Sequence, residues 1–111
     1  MSEAFRIDVA DRFSDMPYGR DSKDGDDNGE KFRKEILVPE LKKHEFLIID
    51  FNGTMGCGSS FGDEAFAGLI IYENFTVEEV KRRISFEYKY KSVINNIIKY
   101  IDEAKPRAET N

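Results

Sequence analysis

The sequence predicts an α/β domain in which helices flank a mostly parallel or mixed sheet. Short apolar segments with strand-like patterns alternate with longer segments whose apolar residues recur at helical spacing, in the order β-α-β-α-α-β-α. Strands that alternate with helices are usually joined by crossover connections, which make neighbouring strands parallel. The length of 111 residues suits one domain, which we expect at 1–104, followed by a disordered polar tail at 105–111.

Three segments predict the strands. Apolar and polar residues alternate from Phe5 to Val9 and again from Ile84 to Tyr90, as in strands with one buried face. Between them, Phe46–Asp50 is an apolar run that ends in one acid. Such a run is typical of a central strand covered on both faces.

The first long helix is predicted to begin after Asn28. This residue type caps helices, and Glu30 then lies in the first turn, where a negative charge is favourable. Pro39 should kink or shorten the helix. Its apolar face comprises Phe32, Ile36, Leu37 and Leu41.

Two further capping patterns predict the later helices. Ser60 and Asp63 are spaced to cap a second helix, and Thr76–Glu79 forms a capping box for a short third one. The apolar residues of the second helix are Phe61, Ala65, Phe66, Leu69 and Ile70. Those of the last helix are Val93, Ile94, Ile97, Ile98 and Ile101.

Composition excludes several functional classes. The net charge of −5 opposes general binding to nucleic acids or membrane surfaces, which needs a positive field. No apolar stretch approaches the ~20 residues of a membrane helix, and the first ten residues lack the pattern of a signal peptide. A single cysteine allows no internal disulfide. We therefore expect a cytoplasmic protein, and the sequence predicts no cofactor.

One loop matches the EF-hand pattern D-x-[DN]-x-[DN]-G-x5-E. An EF-hand also needs a helix entering the loop, whereas 14–23 contains a proline and a glycine and has no apolar periodicity. We interpret the segment as a solvated acidic loop that leads into a helix cap, with a weak surface calcium site as the alternative. The matching residues are Asp24, Asp26, Asn28, Gly29 and Glu35.

The only cysteine and the only histidine do not form a plausible catalytic pair. Cys57 and His44 lie beyond opposite ends of a strand, which separates them by about 20 Å at ~3.3 Å per residue. We expect Cys57 to be a small residue packed in a tight loop and His44 to lie in a surface turn.

The segment from Asp50 to Phe66 holds four glycines between a strand and a helix. Its simplest interpretation is a tight turn and a helix cap. A phosphate-binding loop is disfavoured because Asp63 and Glu64 occupy the helix start and the Walker lysine is missing. The third interpretation is a switch, in which phosphorylation of an exposed Ser59 blocks a docked partner.

Five short motifs occur in an order that resembles the STAS-like domain family of unknown function. They are Gly29-Glu30-x-Phe32-Arg33, Leu37-x-Pro39, Asp50-Phe51-x-Gly53, Gly58-Ser59-Ser60-Phe61 and Glu64-Ala65-Phe66-x-Gly68-Leu69. The likeness covers about Phe5 to Ala104. It implies a single STAS-like domain with a sheet of about four strands.

That family is related to STAS domains such as the bacterial anti-sigma factor antagonists. In those proteins an acid ends a strand, a D-S-S-G-L motif opens the next helix, and a partner kinase of the histidine-kinase ATPase fold phosphorylates a serine of that motif. Here Asp50 matches the strand-end acid, Ser59 the phosphoacceptor and Ser60 the second serine. Gly58 stands where those proteins have aspartate, and Phe61 where they have glycine.

The resemblance implies a non-enzymatic regulatory protein whose partner is a histidine-kinase-like ATPase-fold protein. Phosphorylation of Ser59 would separate the two proteins. The alternative is a small-ligand sensor, in which Arg20 or Arg33 binds an anion at the same helix start. The expected partner-binding residues are Asp50, Gly58, Ser59, Ser60, Phe61, Asp63 and Glu64.

Overall fold

The computed structural model describes residues 3–107, so the last four residues of the predicted tail lie outside the described part. The strands are β1 (Phe5–Asp8), β2 (Leu47–Asp50) and β3 (Ile84–Glu87). The α-helices are α1 (Val9–Arg12), α2 (Gly29–Phe32), α3 (Val38–Lys43), α4 (Ser59–Gly62), α5 (Gly68–Tyr72), α6 (Val77–Arg83) and α7 (Lys91–Glu103). Two π-helical segments are π1 (Arg33–Leu37) and π2 (Asp63–Ala67).

The strands form one parallel sheet in the order β1-β2-β3, which confirms a small α/β domain with a parallel sheet. Residues 3–107 contain three strands rather than about four. β1 ends one residue before Val9 because the Asp8 side chain accepts a hydrogen bond from the Asp11 N–H and so caps α1. The alternation of apolar and polar residues that began in β1 therefore extends past the end of the strand and into α1.

The prediction that the central strand is covered on both faces is wrong. Ile7 and Ile49 are fully buried on the face that packs against helices. On the opposite face, Arg6 and Ser85 are exposed and lie in register with the half-buried Ile48. The polar residues of β1 and β3 keep this face in contact with solvent, and we call it the open sheet face. The apolar sequence of β2 by itself does not indicate this exposure.

Two composite helices pack beside the sheet. The first runs continuously through α2, π1 and α3, and the second through α4, π2 and α5. In π1 the Val38 N–H donates to the carbonyl of Arg33, and in π2 the Gly68 N–H donates to that of Asp63, each five residues back. Pro39 does not shorten the first composite helix, because the helix widens into π1 just before a residue that lacks an N–H.

Two of the predicted helix starts are confirmed. The Asn28 side chain accepts from the Lys31 N–H at 2.9 Å, and the first composite helix begins at Gly29. Thr76 and Glu79 form the reciprocal bonds of a capping box at the start of α6. α7 has 13 residues and is the longest single element, yet no helix within 3–107 is both long and apolar enough to cross a membrane.

The core joins the composite helices to the sheet through a series of aromatic contacts. Phe32 and Phe61 lie 5.5 Å apart between ring centroids, and Phe66 packs edge-on against Phe86 of β3 at 4.9 Å. Such ring pairs stabilise a core by about 0.5–1.5 kcal/mol beyond their buried area. They fix the second composite helix over β3, and with it the segment that connects β2 to α4.

Candidate functional site

The segment that connects β2 to α4 is held against a second loop by backbone hydrogen bonds. The Met55 N–H donates to the carbonyl of Asp15 at 2.7 Å. The Gly58 N–H donates to the carbonyl of Pro17 at 3.4 Å. These bonds place residues 55–58 beside residues 15–17 at the start of the second composite helix. We call this region the corner.

Ser59 is the first residue of α4 and is exposed, as expected. The prediction that Ser60 caps the helix is wrong. Gly58 is the capping residue, with φ −65° and ψ 145°, and it has no side chain with which to cap the helix. The helix begins directly after this extended glycine. Ser60 therefore lies inside the first turn, and neither serine is the N-cap residue.

Both acids that follow the serines are ion-paired. Asp63 lies 3.0 Å from the Arg20 guanidinium, and Glu64 lies 2.8 Å from that of Arg33. Arg33 also binds the carboxylate of Glu73 at 2.9 Å. Because both arginines already bind carboxylates, the geometry does not favour anion binding by either of them.

A polar cavity of about 480 Å³ lies beside the Arg33 side chain. Its carboxylate side chains outnumber its cationic ones, four to three, so the cavity offers no excess of positive charge to an anion. This composition gives the small-ligand alternative no specific support. The lining residues are Asp21, Glu30, Arg33, Lys34, Glu64, Tyr72, Glu73 and Arg107.

An exposed apolar surface lies directly beside Ser59. The side chains of Met16, Tyr18 and Met55, termed the Met55 patch, are 59%, 64% and 74% exposed. With Cys57 and Gly58 they line a groove of about 310 Å³. Exposed apolar groups that cluster in this way are typical of contact sites for other proteins.

The structure does not bring all the predicted contact residues to one surface. Phe61 is fully buried beside Phe32, so its prediction as a partner contact is wrong. Asp50 lies on the open sheet face, where it pairs with Arg6 at 3.1 Å. Gly58, Ser59 and Ser60 lie at the corner, whereas Asp63 binds Arg20 and Glu64 lines the polar cavity beside Arg33.

Cys57 is half-buried, and burial raises the pKa of its thiol to about 12. A thiol with this pKa is almost entirely protonated at neutral pH, so it is a poor nucleophile. His44 ends α3, stacks on the ring of Phe5 at 4.1 Å and lies 3.6 Å from the Glu40 carboxylate. The two side chains therefore have separate local roles.

Two side chains of the EF-hand match are used by the loop itself, and the Asp26 side chain is exposed. The Asp24 carboxylate accepts from the Arg20 N–H at 2.9 Å, and the Asn28 amide caps α2. Glu35 is an exposed residue of π1. Within residues 3–107, no three histidine, cysteine or acidic side chains converge in a geometry that could hold a metal ion.

A family model described as a STAS-like domain of unknown function matches residues 28–93. The match begins at the cap of the first composite helix and ends in the first turn of α7, so it includes β2, β3 and residues 55–58 of the corner but not residues 15–17. The chain belongs to this family. No curated protein and no solved structure gives a significant match to this STAS-like domain.

Sequence reasoning missed the Met55 patch in this STAS-like domain. Met16 and Tyr18 lie in a loop that is otherwise acidic and rich in turn residues, and Met55 lies among glycines. None of them belongs to a periodic pattern, so none lies on a predicted helix or strand face. The available signal was the presence of large apolar side chains in segments that have no regular structure.

Proposed function

We propose that this STAS-like domain is a cytoplasmic, non-enzymatic regulatory module that binds a partner protein at the corner. The observation that carries the proposal is the position of the exposed Ser59 hydroxyl beside the Met55 patch. A partner that covers the patch would also cover Ser59. A modification at this hydroxyl would then act directly on the contact.

The charge pattern around Ser59 supports a phosphorylation switch. Asp63 lies one helical turn after Ser59, on the same side of the helix, and its carboxylate binds Arg20. A phosphate on Ser59 would bring about two negative charges to the start of the second composite helix, where the helix dipole favours them. The free protein would therefore tolerate the phosphate, whereas a docked apolar surface would have to desolvate it.

The resemblance to anti-sigma factor antagonists supports the type of partner. In those proteins a kinase of the histidine-kinase ATPase fold recognises the corresponding corner, and we propose a partner of that fold here. Gly58 replaces the aspartate that precedes the acceptor serine in those proteins. Because glycine carries no charge, position 58 does not require the partner surface to face a carboxylate.

The experiment compares three variants as bait in pull-downs from the native cell. Ser59→Asp mimics the modified state, Ser59→Ala mimics the unmodified one, and Asn95→Asp adds the same charge at an exposed position of α7. We expect Ser59→Ala and Asn95→Asp to retain the partner that the wild type recovers, and Ser59→Asp to lose it. Equal recovery by all three baits would refute the switch.

A second measurement tests the modification itself. The wild-type protein is incubated with the recovered partner and ATP, and phosphorylated peptides are mapped by mass spectrometry. Phosphate on Ser59 supports the kinase assignment. If the partner binds at the corner but does not phosphorylate Ser59, the protein is still an interaction module, and the proposal that its partner is a kinase is refuted.

A further inference from the structure

The outer edge of β3 carries backbone groups that have no strand beside them. In the described part of the chain, β3 pairs with β2 alone. The Phe51 N–H donates to the carbonyl of Glu87 at 2.9 Å, so the backbone groups of Glu87 point towards β2. The backbone N–H and C=O groups of successive residues in a strand point to opposite edges of that strand. Those of Phe86 therefore point away from β2, towards the outer edge.

An apolar groove of about 250 Å³ runs along this edge, between β3 and α7. Phe86, Ile94 and Ile98 line it and are only half-buried. Ile84 and Ile101 form its buried floor. An exposed strand edge next to an apolar groove offers hydrogen bonds to an extended chain and a place for its alternate side chains.

The charge of this region is opposite to that of the chain. Residues 81–99 hold six basic residues and one acid, although the protein as a whole has a net charge of −5. Lys81 binds Asp102 at 2.8 Å and Arg82 binds Glu45 at 3.5 Å. Lys89 and Lys91 directly follow the strand and are exposed, which makes its carboxyl end positive.

We propose that the β3 edge binds an extended, acidic segment of another protein as an additional strand. The segment pairs with the outward backbone groups of Phe86, inserts alternate apolar side chains against Ile94 and Ile98, and places acids near Lys89 and Lys91. This site is distinct from the corner and does not depend on Ser59.

Two other occupants fit less well. A second copy pairing through its own β3 in the antiparallel sense would bring Arg82 of one chain towards Lys89 and Lys91 of the other, and like charges repel. A nucleic acid would be attracted by the lysines, but it cannot use the outward Phe86 amide as a strand does or fill an apolar groove. Both occupants are outcomes of the test below.

The test selects binders from a displayed library of random peptides about 12 residues long, the scale of a strand with flanks. Ile98→Glu serves for counter-selection, because it places a charge in the groove, and Asn95→Glu is the matched control on the exposed side of α7. We expect enriched peptides to alternate apolar residues and to carry net negative charge. Their affinity should fall about tenfold or more with Ile98→Glu and about twofold or less with Asn95→Glu.

Amide hydrogen exchange on the wild type supplies a readout that needs no variant. At saturation with the most enriched peptide, exchange at the Phe86 amide should slow, since the amide gains a hydrogen bond. Unchanged exchange at Phe86 would overturn the proposal, as would selected peptides with no alternation or a positive charge. Displacement of the peptide by an oligouridylate of about 20 nucleotides would point to nucleic acid, and dimerisation through β3 to a second copy.

Discussion

Gly68 lies directly against the guanidinium group of Arg33. A Cβ built on Gly68 would overlap the Nη1 atom and lie 3.1 Å from Cζ. Arg33 is only 2% exposed, and its Nη1 donates to the backbone carbonyl of Glu64 at 2.6 Å and to its carboxylate at 2.8 Å. The missing side chain at Gly68 thus makes room for a buried arginine that joins the two composite helices.

The first prediction concerns Gly68→Ala. An alanine would gain about 1 kcal/mol of helix propensity, but overpacking of a filled site costs about 1–3 kcal/mol and disturbs the Arg33 hydrogen bonds. We expect a net loss in the free energy of unfolding, measured by urea denaturation. Gly58→Ala is the control, because φ is −65° there and the nearest group is the exposed ring of Tyr18 at 3.3 Å. A Gly68→Ala protein as stable as the wild type would contradict the packing argument.

The second prediction concerns the buried ion pair. Arg33→Met removes the 2.8 Å partner of the Glu64 carboxylate, which is 14% exposed and retains a 4.0 Å contact with Arg20. Loss of one partner from a buried ion pair costs about 3–5 kcal/mol, and the contact with Arg20 should keep the loss near the lower end. Adding Glu64→Gln to Arg33→Met should recover part of that loss. Lys34→Met is the matched control, since this exposed neighbour pairs within residues 3–107 with Glu30 alone, at 3.4 Å. The substitution should cost about 1 kcal/mol or less. Additive effects of the two core substitutions would show that the pair is not coupled.

The arginine illustrates what local patterns can and cannot predict. The helix starts at Asn28 and Thr76 were predictable because a cap depends on residues within one turn. Arg33 has no such local signal, since a charged residue in a helix normally indicates the solvated face. Its burial depends on Glu64 and Glu73, which lie 31 and 40 residues further along the chain. The exposed face of β2 was missed for the same reason, because its neighbours Arg6 and Ser85 come from other strands.

At the corner, too, local features were predictable from the sequence and features that depend on distant residues were not. The exposure of Ser59 followed from the glycines before it and the helix after it. Phe61 was assigned to the partner contact from its position in a motif, although its spacing also placed it on the apolar face of the predicted helix, and the structure buries it beside Phe32. The Met55 patch forms only where two loops meet, so no single segment of sequence contains it.

The third prediction concerns the reactivity of Cys57. Burial raises the pKa of the thiol to about 12, so the thiolate fraction is small at pH 8 and increases as the pH rises towards that value. We expect slow alkylation by iodoacetamide, followed by mass spectrometry. The double variant Cys57→Ser/Ser59→Cys carries its thiol at the exposed helix start and should react about tenfold faster or more. Equal rates would show that Cys57 is open to solvent and ionises normally.

The fourth prediction concerns the Met55 patch. Met55 is 74% exposed, so Met55→Glu should change the free energy of unfolding by no more than about 0.5 kcal/mol. If the patch meets the partner, recovery of the partner in pull-downs should fall about tenfold, because a charge would have to be desolvated in the contact. Asn95→Glu adds the same charge on α7 and should leave recovery unchanged. Undiminished recovery of the partner with Met55→Glu would show that the patch is not part of the interface.

The fifth prediction concerns the open sheet face and its response to pH. Arg6 donates to both carboxylate oxygens of Glu87, at 2.6 and 3.2 Å, and these hydrogen bonds, with its charge, hold the pKa of Glu87 below the ordinary glutamate value. A folded-state pKa below the unfolded one contributes stability above the unfolded pKa, and this contribution is lost as the pH falls through the folded value.

We expect NMR titration to show the low pKa of Glu87 in the wild type and a value nearer the ordinary one in Arg6→Gln. The stability difference between these two proteins should shrink as the medium is acidified below about pH 4, and it should be small throughout because the pair is exposed. Arg12→Gln is the control, since Arg12 pairs with Glu40 at 2.6 Å and not with Glu87. An unchanged Glu87 titration in Arg6→Gln would mean that the two side chains do not pair in solution.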